Sequence, residues 1–110
     1  MRQAIIYYQN LLAGTLTETE EGEYWFVYDK AYVRDHPDLF LTFTMPVTDK
    51  PYFTNRLFPF FEGLIPEGWL LDIVSKNWKL NPNDRMGLLL LCCRNCIGAV
   101  SVQPKSQDDV

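Results

Sequence analysis

The sequence is short of the residues that do chemistry. In 110 residues it has one histidine, His36, and three cysteines. His36 stands beside Pro37 in a segment read as loop, and its ordinary reading is an exposed imidazole. Glycines are few and scattered. Gly87 and Gly98 stand alone, so no glycine-rich loop is available to cradle a phosphate. Ser75 and Ser101 lack the flanking glycines of a nucleophile elbow. Lysine and arginine form no stripe and the net charge is −4, which argues against binding nucleic acid through clustered phosphate contacts and against an anionic membrane surface. The longest apolar run, Gly87 to Cys93, is far short of the roughly 18 to 20 residues that span a bilayer. The start, MRQAIIYYQN, has no signal-peptide core or cleavage site. The expectation is a cytoplasmic protein.

Cys92, Cys93 and Cys96 lie close together and are odd in number. A structural zinc site normally takes four Cys or His ligands, and the single histidine is far away in sequence. Reduced cysteines used as small apolar residues are the plainer reading. Glu62 and Glu67 flank a Pro-Gly break, but nothing in the sequence converges on them as a general acid and base. The residues call for no metal, cofactor or catalytic group, and the expectation is a chain that is not an enzyme.

What the sequence has is apolar and aromatic content, 47% and 15%, with 22% charged residues. That composition suits one globular domain with aromatics to spare for an interface. The first half reads as strands: residues 3–8, then 11–19 with Gly14 as a bulge, then 23–28. Gln9-Asn10 turns the chain between the first two. Asp29 to His36 is ambiguous, with a helical turn opening at Asp29 and stopped by Pro37. Residues 39–45 alternate and read as a half-buried strand ended by Pro46, followed by loop over 48–55. The period then changes. Residues 57–64 suggest a short helix with Pro59 in its first turn, and Pro66 opens a second helix to about Trp78. Asn83 or Asp84 caps a third, over 85–93. Residues 96–102 read as a last strand, and 103–110 as a polar, disordered tail. The expected fold is α+β: a small antiparallel sheet of four to five strands with two or three short helices in the second half, in one domain over residues 1–102.

Trp69 is the most informative single residue. On a helix opened at Pro66, the residues Leu70, Leu71, Ile73, Val74 and Trp78 define one apolar stripe. At ~100° per residue, Trp69 lies about 130° from the centre of that stripe, beside Asp72 and Lys76. Two readings follow. The indole packs sideways on Phe60 or Phe61, or it waits for a partner, as exposed tryptophans at binding hot spots do.

Beyond these patterns, the block FFEGLIPEG, in which Phe60, Phe61, Leu64, Ile65, Pro66, Glu67 and Gly68 carry the match, resembles the N-terminal subdomain of HipA-type Ser/Thr kinase toxins. So do Cys96, Gly98, Ala99 and Val100 of CIGAV, FVYD at 26–29, and LTFTMPV at 41–47. The four matches come in family order over about residues 3–102. Cys93, Asn95 and Tyr32 depart from the usual Gly, Asp and Trp. The kinase core that follows this subdomain in full-length HipA-like proteins is not found before the sequence stops, within ten residues of GAVSV. If 110 residues is the natural length, the resemblance implies a HipS-like antitoxin, the free-standing form of the subdomain. Such a protein holds a separate HipT-like kinase inactive, and a HipB-like helix-turn-helix protein can join the complex. A fragment of a longer kinase, with a packing or regulatory role only, is the other reading. The partner-binding residues expected on this basis are Trp69, Glu67, Asp72 and Lys76.

Overall fold

The computed structural model describes residues 1–65, 84–92 and 100–105. The chain opens with a hairpin. β1 (Arg2–Tyr8) and β2 (Leu11–Glu18) pair antiparallel. Both loop residues, Gln9 and Asn10, have positive φ, 51° and 66°, as a two-residue turn matched to strand twist requires. Between Ile6↔Gly14 and Tyr7↔Leu12 the register shifts, leaving Ala13 as the extra residue of a bulge. Gly14 itself is needed for another reason. A Cβ there would lie 2.4 Å from the Val27 carbonyl and 2.8 Å from the Phe26 ring, so only glycine lets β3 (Tyr24–Tyr28) lie against β2 at this point.

α1 (Lys30–Asp35) follows, with the Asp29 carboxylate accepting the Ala31 N–H as its N-cap. This resolves the ambiguous Asp29–His36 segment as helix. β4 (Tyr52–Thr54) then pairs with β3, α2 (Pro59–Glu62) starts on Pro59, and α3 (Arg85–Cys92) and β5 (Val100–Pro104) complete the described elements. The strand order is β4-β3-β2-β1-β5, antiparallel throughout. The α+β expectation holds, with five strands and three short helices among the described residues. The expected second helix, 66–78, lies outside them. The last strand runs through Gln103 and Pro104, and the Lys105 N–H reaches the Gln3 carbonyl.

One expectation fails. Residues 39–45 are not a strand, and the strand lies instead at Tyr52–Thr54, within the stretch read as loop. The reason is three tyrosine hydroxyls. Tyr28 donates to the Met45 carbonyl and accepts from the Leu41 N–H, Tyr32 donates to the Leu39 carbonyl, and Tyr52 donates to the Pro46 carbonyl. Four of the segment's backbone groups are thus satisfied by tyrosine side chains, and the Leu39 and Met45 N–H groups by local turns, rather than by a ladder. Leu41 and Met45 plug the core, while Phe43, placed on the same side by strict alternation, is 87% exposed.

The core lies on one face of the sheet. Ala4, Ile6, Leu16, Phe26 and Val102 are fully buried there, together with Phe61 of α2 and Met86, Leu88 and Leu89 of α3. Phe26 meets Tyr28 edge-on and lies 5.8 Å from the Phe61 ring centre. Each such large side chain contributes about 1.5–3 kcal/mol of burial.

Candidate partner-docking surface

Glu67, Trp69, Asp72 and Lys76 lie outside the described residues. What is described is how the chain is held on either side of them. Upstream, Ile65 is buried, 2% exposed, and Phe61 anchors α2 in the core. Phe60, half-buried, packs edge-on against Phe61. Downstream, Asp84 accepts the Gly87 N–H at the start of α3. The Arg2 guanidinium grips the same carboxylate at 2.7 and 3.1 Å, and also reaches Glu18 through its Nε at 2.7 Å. Hydrogen bonding to Arg2 holds the Asp84 carboxyl below its ordinary pKa. Gly87 leaves room for this arrangement, because a Cβ there would come 2.4 Å from Asp84 Oδ2. Tyr24 completes the cluster by donating to Glu18 at 2.9 Å.

A second ion pair joins the two helices. Arg85 meets Glu62 at 2.7 Å, with further contacts at 3.0 and 3.1 Å. Glu62, weighed above with Glu67 as an acid–base pair, is therefore a strut between α2 and α3. The chain enters and leaves the stretch carrying Trp69 from two fixed points, one apolar and one ionic.

His36 is half-buried at the C-terminal end of α1, where its backbone N–H caps the Tyr32 carbonyl and its ring lies 5.3 Å from the Tyr32 ring centre. It borders a shallow cleft of about 210 Å³ with Asp29 and Asp35. Asp29 is occupied as a helix cap, and the Arg34 hydrogen bond holds the Asp35 carboxyl low. The cleft presents no nucleophile paired with a base. No group of three or more His, Cys, Asp or Glu residues able to hold a metal ion occurs among the described residues. Cys93, Cys96 and the Cys92 side chain are not among them. No helix of the described residues is long and apolar enough to cross a membrane.

Sequence reasoning missed the other face of the sheet. Trp25 and Val27 of β3 point away from the core, 38% and 41% exposed, and Phe53 of β4, 50% exposed, pairs with Trp25 at a ring distance of 4.7 Å. Thr15 and Thr17 of β2 continue the face beside them, followed by Gln3, Ile5 and Tyr7 of β1. Ser101 and Gln103 of β5 close it. None of these side chains is charged. The alternation of EYWFVY carried half the signal, since Trp25 and Val27 fall together. Phe53 was hidden in a stretch read as loop.

With this geometry fixed, comparison with known proteins decides the family. A family model described as the HipA N-terminal domain matches residues 4–103. The chain belongs to the HipA N-terminal domain family. A solved N-terminal domain of HipA toxin superposes with a TM-score of 0.74 at 24% identity, covering 97% of this chain and 95% of that one, which shows the shared fold. An uncharacterized protein of Haemophilus influenzae is 27% identical over 107 residues, 97% of this chain and 96% of that protein. Two Sinorhizobium fredii proteins named putative kinases, Y4dM and Y4mE, are 32% and 24% identical over 102 and 105 residues. The chain spans 25% of the length of each. The matched model describes the N-terminal domain of HipA, not a catalytic domain.

Proposed function

We propose that this HipA N-terminal domain is an antitoxin-like binding protein that neutralises a separately encoded HipA-type Ser/Thr kinase by docking on it. One observation carries the reading. The same domain makes up a quarter of two chains named putative kinases and nearly the whole of the Haemophilus relative, so it occurs both beside further sequence and almost by itself. In this reading the chain has no catalytic activity of its own and works in the cytoplasm, where its kinase is. A HipB-like helix-turn-helix protein is a further member of the complex.

The physical requirement on such an inhibitor is definite. A kinase transfers phosphate only when its lobes close and align the ATP-binding lysine with the metal-bound aspartate. Holding it about 99% inactive takes a preference of several kcal/mol for the open form. One buried tryptophan hot spot supplies about 2 kcal/mol or more, so Trp69 needs help, assigned here to Glu67, Asp72 and Lys76.

Co-expression with the HipA-type kinase encoded in the same genome tests this. Growth arrest by the kinase should be relieved by the wild-type chain and less so by Trp69→Ala. Full relief by a Trp69→Ala, Glu67→Ala double variant removes the proposed residues. No relief by the wild-type chain favours the second reading, a regulatory or packing subdomain of a HipA-type kinase without independent activity, which the quarter-length match to Y4dM and Y4mE also accommodates.

A further inference from the structure

The outer face of the sheet has no role in the reading above. Its most exposed aromatic and aliphatic side chains sit on the three-strand segment β4-β3-β2, with Trp25, Val27 and Phe53 at the centre and Leu12, 41% exposed, toward the hairpin end, and Ile5 and Tyr7 of β1 continue it half-buried. A one-sided antiparallel sheet that faces water normally alternates apolar-in with polar or charged-out. Here the outward positions of β3 and β4 are apolar, and among the described residues no outward position within the five strands is charged, in a chain with 22% charged residues. Among the described residues the charges lie at the margins or elsewhere: on α1, on the 20–23 turn that leads into β3, at Lys105 just past β5, on the loop bearing Asp49 and Lys50, and in the Arg2 and Arg85 clusters. Depletion of charge together with enrichment of aromatics marks the buried centre of a protein interface.

We propose that this uncharged sheet face is a packing surface for a HipA-type kinase domain, in addition to the Trp69 region. The proposal rests on the reading that such a kinase is the partner. The occupant is chosen from two facts. In Y4dM and Y4mE this domain shares its chain with about three times its own length of further sequence in a protein named as a kinase, so a large neighbour is present to cover the face. A second copy of this chain is disfavoured because both molecules carry a net charge of −4, and like-charged bodies repel on approach. Packing on the sheet also supplies the binding energy that a single tryptophan lacks.

The test measures binding of the purified chain to the HipA-type kinase of the same genome, by calorimetry. Trp25→Ser with Phe53→Ser removes the aromatic pair. Thr15→Lys places a charge at the middle of the face without deleting apolar packing, and so keeps the test open if the double variant folds poorly. Phe43→Ser, a more exposed aromatic on the 39–46 loop, is the control. Binding weakened tenfold or more by Thr15→Lys and by the double variant, with Phe43→Ser near wild type, supports the proposal. Wild-type affinity in Thr15→Lys overturns it while leaving the antitoxin reading intact. Absence of binding by the wild-type chain overturns both. If sedimentation shows a wild-type dimer that Thr15→Lys dissociates without changing kinase affinity, the face belongs to a second copy and the proposal is wrong.

Discussion

Trp25 and Phe26 are neighbours in one strand, both aromatic, and they meet opposite fates. Phe26 is fully buried against Phe61 and Tyr28, whereas Trp25 is 38% exposed and its ring meets Phe53. The inner face is closed by α2, α3 and the tyrosine-held 39–46 loop. Among the described residues no helix packs over the outer face. The contrast teaches that apolar residues on both sides of a strand do not say which side its own chain will cover. That is decided by where the later helices return, and a face left over can serve another molecule.

The sharpest way to break the comparison is to truncate its inner member. Phe26→Ala should cost about 3–5 kcal/mol, as removal of a fully buried phenylalanine does, read as a lower denaturation midpoint or as failure to fold. An effect below about 1 kcal/mol would mean that the inner face is not the core. Gly14→Ala comes next. The new methyl meets the Val27 carbonyl, which is backbone and yields little, so a loss of about 1–3 kcal/mol is expected. An unchanged midpoint would show that β2 and β3 can separate there.

Tyr28→Phe should cost about 1–3 kcal/mol, because the Leu41 N–H and Met45 carbonyl lose their partner inside the core. It carries a pH signature as well. Burial pushes the Tyr28 hydroxyl up to about 12, and burial with the hydrogen bond to Glu18 does the same for Tyr24. A raised folded pKa contributes stability that is complete below the unfolded value near 10 and is lost as pH climbs toward 12. Denaturation measured from pH 8 to 12 should therefore show an alkaline loss that is shallower in Tyr28→Phe. Equal slopes in the two proteins would contradict this account of the loop. The smallest effect is on the outer face: Trp25→Ser should change the stability of the isolated chain by less than about 1 kcal/mol. A large loss would mean that the indole belongs to the core.

Much of this was legible in the residues. The hairpin turn at Gln9-Asn10, the first three strands, the Pro59 start of α2 and the Asp84 cap of α3 all follow from local chemistry, because turn geometry, capping and alternation act between near neighbours. The alternation at 39–45 misled for a physical reason. Period two describes a strand only if a ladder is available, and here Tyr28, Tyr32 and Tyr52 take the backbone groups first. The ion pairs were not legible either. Arg2 and Asp84 are 82 residues apart, and Glu62 and Arg85 are 23 apart, and no local pattern links them.

The sequence by itself determined the order and type of most elements and, through four motifs in series, the HipA N-terminal kinship. Those are properties of short segments, written by propensity, turns and caps. Only the tertiary structure decided which strand forms the β4 edge, which face of the sheet the described helices cover, and that Glu62 pairs with Arg85 to join α2 and α3. Each of those depends on side chains far apart in the chain coming within a few ångströms, a choice made when the core closes.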